Sequence, residues 1–226
     1  MKGSNTGLRL LKGVGLTATM LLVASAIPAQ AGILRDVLSS VGLAKPAPPK
    51  DDGTGVSFPR LGFACCDLHY NKNWINDYNY MELPYIPAGT PVEVVKYGRY
   101  RAEIKVDGKP MTLGQEYGRD AESLDQYIKK YIVNEDPKPR IQAYPGAVQE
   151  AIRQGKLMIG MSKEQVIVAV GHPMPSENAS ISNASSWTMY RTGGSAYRVY
   201  FSADGRVLKV SVDGESDDKV LYNPGR

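Results

Sequence analysis

The sequence predicts an α+β protein made of two small units. Three observations carry this. Residues 58–140 alternate apolar and polar positions at strand period between tight turns; residues 145–171 hold two short helices with explicit start and stop signals; three strand-period runs follow. We expect four parts: residues 1–31, 32–57, 58–140 and 141–226. The chain of 226 residues is 42% hydrophobic and 22% charged, which excludes a wholly disordered protein. Two cysteines cannot staple a disulfide-dense scaffold, so burial must supply most of the stability.

Residues 1–31 read as an export signal. Lys2, Arg9 and Lys12 form a basic start, Val14–Ile27 an apolar stretch, and Ala29-Gln30-Ala31 a small-x-small cleavage pattern. Cleavage after Ala31 would leave a soluble periplasmic protein; the alternative is an uncleaved anchor, for which the apolar stretch is short. No cysteine follows this stretch to accept a lipid. Removing residues 1–31 leaves a net charge of +1, so there is no overall basic field and no nucleic-acid partner is expected. Ile33, Leu34, Val37, Leu38 and Val41 share one helical face, and Lys45–Gly55 reads as a stiff, solvated linker.

In the front unit, Pro91–Lys96 and Arg101–Val106 alternate, with Ala102, Ile104 and Val106 on one face. Gly98 and Asp107-Gly108 mark turns, and Lys109–Leu113 returns as a strand. Short strands at this spacing suggest a small, partly open barrel of the SH3-like kind. A helix follows, with Leu124, Tyr127, Ile128, Tyr131 and Ile132 on one face, Asp120 as its expected cap, and Asp136–Pro139 as a break.

In the back unit, Pro145–Gln154 predicts a helix with Val148, Ala151 and Ile152 inward, stopped by Gly155. Ser162 and Gln165 form a capping box, Met161 and Val166 a hydrophobic staple, and Gly171-His172-Pro173 a stop. Ser186–Tyr190, Tyr197–Ser202 and Val207–Asp213 then read as strands. Tyr197, Val199 and Phe201 share one face; Leu208, Val210 and Val212 share another.

The run Gly155–Pro173, followed by Trp187-x-x-Tyr190, Tyr197-x-Val199-x-Phe201 and Gly205-x-Val207, resembles the SmpA/OmlA (BamE-like) family of outer-membrane assembly lipoproteins. The resemblance covers roughly residues 145–213 and implies a BamE-like α-α-β-β-β module in a Gram-negative envelope protein that works through contacts. The family's lipid-bearing cysteine is missing, and an extra domain precedes the module. The front unit resembles bacterial SH3-like envelope domains in strand pattern alone.

No nucleophile elbow, zinc-protease pair, phosphate loop or dinucleotide fingerprint occurs. Neither an enzyme nor a cofactor is expected. His172, in its helix-ending turn, is expected to be exposed. Cys65-Cys66-x-x-His69 leaves three readings open: a buried and a free thiol, a disulfide within or between chains, or a metal site. Tyr70, Trp74, Tyr78, Tyr80 and Tyr85, interleaved with asparagines, would suit a peptide or sugar platform; equally, they could fill the barrel core. The three-stranded sheet should leave a face or an edge open, and Tyr190, Arg198 and Tyr200 lie there as a candidate protein contact.

The function expected from this reading is non-enzymatic. The chain would bind envelope proteins in the periplasm, peripheral to the outer membrane, and assist a surface complex. The alternatives are a peptidoglycan- or peptide-binding module and a thiol or metal protein using Cys65, Cys66 and His69.

Overall fold

The computed structural model describes residues 50–51, 57–178, 180–212 and 217–225. The expected signal peptide with its cleavage site, the amphipathic segment 33–41 and most of the linker lie outside these. From the stretch read as linker, β1 (Lys50–Asp51) pairs antiparallel with β2 (Ser57–Phe58), which follows it. No helix among the described residues is long and apolar enough to cross a membrane.

The architecture is α+β. The front unit is a curled, mixed six-stranded sheet. Its strands are β3 (Arg60–Ala64), β5 (Trp74–Asn76), β7 (Pro91–Tyr97), β8 (Arg101–Val106), β9 (Lys109–Gly114) and β10 (Ile132–Val133), in the order β10-β3-β7-β8-β9-β5. A small pair, β4 (Leu68–His69) with β6 (Tyr85–Ile86), lies beside it. Ala102, Ile104 and Val106 all point inward, as the alternation predicts. Helix α1 (Leu124–Tyr131) packs Tyr127, Ile128 and Tyr131 into the same core.

Three expectations in this unit are corrected. Ser123, not Asp120, caps α1, through a capping box with Gln126. A Ser-x-x-Gln box satisfies two orphan amides, where a single Asp would satisfy one. Ile132 is not helical: it opens β10 and pairs with Ala64, because the free edge of β3 offers ladder partners. Asp136–Pro139 is also more than a break. Helix α2 (Lys138–Gln142) starts there, with Pro139 in its first turn, where a missing N–H costs nothing.

The back unit lays α3 (Gly146–Arg153) and α4 (Lys163–Val170) on one face of β11 (Ser186–Tyr190), β12 (Ala196–Phe201) and β13 (Val207–Val212). The Ser162–Gln165 capping box is present, and Met161 and Val166 are both fully buried. Trp187 is fully buried, edge-on to Phe201 at 4.7 Å, with its Nε1–H donating to the Ile181 carbonyl. Truncating such a ring to Ala costs roughly 3–5 kcal/mol. Leu208 does not share a buried face with Val210. The register shifts at Tyr200/Phe201, a bulge that turns both Val207 and Val210 inward and leaves Leu208 65% exposed.

The two cores touch. Met81 and Ala88, from the front of the chain, are buried in the back core, and Ile167 of α4 packs against both.

Candidate interaction surface

The junction is built by residues 77–90, which leave the front sheet and run along the back unit. Asn79 adopts a left-handed φ of 45° and bonds at both ends. Its Oδ1 accepts from the His69 amide, and its Nδ2–H donates to the Val170 carbonyl at the end of α4. Gly171 makes this possible: its φ is +85°, and a Cβ there would overlap the Asn79 amide. Two residues on, the Met81 amide donates to the Tyr190 carbonyl and the Met81 carbonyl accepts from Thr192. Glu82 then holds the 3%-exposed Arg191 in a forked pair, Oε1 at 3.0 Å from Nη2 and Oε2 at 3.3 Å from Nε.

These contacts bring tyrosines from three segments together. Tyr78 stacks on Tyr80 (4.9 Å) and meets Tyr117 (4.2 Å) and Tyr190 (4.4 Å) edge-on. Asp77, 1% exposed, fixes the loop that carries Tyr117 by accepting from the amides of Glu116, Tyr117 and Gly118. Tyr117 itself is 54% exposed. Burial, then the charges around it, pushes the Tyr80 phenol up to about 12.

Tyr190 continues this cluster onto the outer face of the back sheet. Strand alternation places Tyr190, Arg198 and Tyr200 on that face, opposite the buried Trp187, Met189, Tyr197 and Val199. Thr188, Arg198, Tyr200 and Ser211 line a shallow depression of about 210 Å³. The face is open among the described residues, but the edge of β11 is not. Asn178 bonds both the amide and carbonyl of Thr188, and Met81 takes the Tyr190 carbonyl. At β13, Gly160 and Met161 take the Val207 carbonyl and amide. Strand addition at these positions is therefore blocked.

The aromatic set read from residues 70–85 is dispersed. Only Tyr78 and Tyr80 join the cluster. Tyr70 packs on the front core, Trp74 lies under the Arg101 guanidinium (4.6 Å), and the Tyr85 hydroxyl donates to the Arg153 carbonyl (2.6 Å). Tyr117 was missed because it lies about forty residues away in a loop; only the Asp77 contacts bring it in.

The cysteine cluster is also rearranged. Cys65 and Cys66 sit in a bend after β3 and are bonded to each other as a vicinal disulfide. His69 is not beside them. Its Nδ1 bonds the Leu83 carbonyl, and its ring lies 5.3 Å from Tyr85. The nearby imidazole is His172, whose expected exposure is corrected: it is half-buried against Tyr131 at 5.2 Å, and burial pushes it down to about 3.

A second feature lies at the junction, between Asp67 and α3. Asp67 is 2% exposed and lines a cleft of about 440 Å³ with Tyr85, Lys138 and Arg153. Its Oδ1 accepts the Ala88 amide, its Oδ2 has no partner, and burial pushes it up to about 8. No protein-family model matches the chain, and no curated protein or solved structure matches it.

Proposed function

We propose that the chain is an exported, non-catalytic periplasmic protein that holds an envelope protein. Its contact surface would run from Tyr78, Tyr80 and Tyr117 through Tyr190 to Arg198 and Tyr200. In this reading the front unit is SH3-like, the back unit is BamE-like, and the protein assists assembly or stability of an outer-membrane or surface complex. The curled front sheet and the order of two helices then three strands support it.

The observation that carries the proposal is the tyrosine cluster itself. Four rings from two units meet at the surface and abut an uncovered sheet face. Tyrosines suit such a site because the ring packs while the hydroxyl stays hydrogen-bonded. Arg198 adds exposed positive charge, which favours an acidic partner and makes the contact salt-sensitive. With β11 engaged at Thr188 and Tyr190 and β13 at Val207, the partner docks on side chains of the face rather than as a strand added at those positions.

The test is crosslinking in the envelope with two variants that leave the cores intact, Arg198→Glu/Tyr200→Ala and Tyr117→Ala. Both should lose the crosslinked partner recovered with the unaltered chain, by tenfold or more for the double variant. Unchanged recovery in both would refute the surface. Retention of the chain on purified peptidoglycan sacculi, abolished by Tyr78→Ala, would replace it with the cell-wall reading.

A further inference from the structure

We infer that Cys65, Cys66 and His172 form a redox-gated site for a soft or borderline d10 metal ion, open to the metal only when the cysteine pair is reduced. The disulfide form holds the ligand atoms ready. Both sulfurs and a ring nitrogen of His172 lie within 4.8 Å of one another. Ligands on one tetrahedral zinc stand roughly 3.5–3.8 Å apart, given Zn–S near 2.3 Å and Zn–N near 2.0 Å. Small side-chain rotations therefore suffice once the S–S bond is cut.

Adjacent cysteines usually cannot share a ligand, because neighbouring strand side chains point to opposite faces. Here they can, because β3 ends at Ala64 and the pair occupies the bend beyond it. The Cys65 amide is tied to the Tyr131 carbonyl at 2.9 Å, which fixes the bend against the end of α1.

The imidazole is oriented from a second direction. His172 stands edge-on to Tyr131 at the end of α1, with ring centroids 5.2 Å apart, and follows Gly171, whose conformation ends α4. Two thiolates and a neutral imidazole suit Zn²⁺ or Cu⁺ by softness. They leave a fourth position for water.

The chemistry balances through an external thiol. Two molecules of a small thiol cut the Cys65–Cys66 bond, supply two electrons and two protons, and leave as their own disulfide. Metal binding then displaces both protons from the cysteine thiols to solvent. Exchange with that small disulfide reverses the sequence: it takes two electrons from the cysteine thiolates and two protons from solvent, leaves as two thiols, and the re-formed Cys65–Cys66 bond releases the ion. Because Cys65 and Cys66 belong to the front core and His172 follows α4 of the back unit, a bound ion would tie the two together.

The probe is Zn²⁺, added to the purified chain after phosphine reduction and anaerobic removal of the reductant, in competition with a chromophoric chelator. One equivalent should bind the reduced chain, and none should bind the oxidised chain at the same concentration. His172→Gln should weaken binding at least tenfold, while His69→Gln leaves it unchanged. X-ray absorption at the zinc edge of the unaltered chain should give two sulfurs and at least one imidazole nitrogen. Binding equal in both redox states, no binding after reduction, or a zinc shell without sulfur would each overturn the inference. That spectrum decides the matter even if His172→Gln fails to fold.

Discussion

The two sides of the junction treat buried polar groups in opposite ways. On one side Arg191, 3% exposed, meets the Glu82 carboxylate in a fork, and Met81 bonds both Tyr190 and Thr192. On the other, Asp67 and His69 are equally buried, yet the Asp67 Oδ2 and His69 Nε2 have no partner. Polar groups buried and paired fix one arrangement of two units; polar groups buried and unpaired reduce stability. The first side is a clamp. The second stores hydrogen-bonding capacity that the fold does not use.

The largest expected effect breaks the clamp. Glu82→Ala leaves the buried Arg191 guanidinium without its carboxylate. Removing one partner of a buried pair costs more than the pair contributes, here about 3 kcal/mol. Denaturant midpoints should show it, and adding Arg191→Met should restore part of the loss. A cost below roughly 1 kcal/mol would mean that the pair behaves like a solvated one, and the contrast between the two sides would fail.

Asp67 sharpens the same contrast through pH. Its acid is raised from 3.8 to about 8 in the native state. Between these values the native chain keeps a proton that the unfolded chain has released, so stability falls as pH rises through the window. The slope approaches about 1.4 kcal/mol per pH unit at most. Asp67→Asn keeps an acceptor for the Ala88 amide and removes the titration. Its stability relative to the unaltered chain should therefore improve steadily from pH 4 to pH 8. Parallel curves for the two chains would show that the native carboxyl is ionised.

The back unit was legible because its signals are local. A capping box, a staple and helix-stopping glycines act within a few residues, and α3, α4 and β11 lie where those signals put them. The misreadings share a different cause. Ile132 follows a helical face in sequence, but a partner strand about seventy residues away recruits it. Leu208 alternates correctly until a bulge shifts the register. His172 reads as an exposed turn, and only folding brings it to Cys65 and Cys66. The surface site was half legible: Tyr190, Arg198 and Tyr200 follow from strand period, whereas Tyr117 depends on Asp77 reaching across the front unit.

The smallest effect compares the two capping boxes. Ser123 and Ser162 make the same reciprocal bonds, Oγ to the N3 amide at 3.3 Å and 3.2 Å, with the N3 glutamine returning to the cap amide at 3.0 Å and 2.9 Å. Each Ser→Ala change should cost about 1 kcal/mol. What differs is where the cost is felt. Helix α1 packs in the front core and touches the back unit where Tyr131 meets His172, whereas α4 accepts backbone bonds from Asp67 at Val168 and from Asn79 at Val170. Ser123 caps the end of α1 remote from that contact, so Ser123→Ala should raise amide hydrogen exchange chiefly in the front unit. Ser162→Ala should raise it in α4 and also at the Asp67 and His69 amides, across the less satisfied side of the junction. Asp120→Ala is the control and should leave the midpoint unchanged; a loss matching that of Ser123→Ala would return the α1 cap to Asp120. If Ser162→Ala leaves the Asp67 and His69 amides protected, α4 does not couple the two units through Asp67 and Asn79.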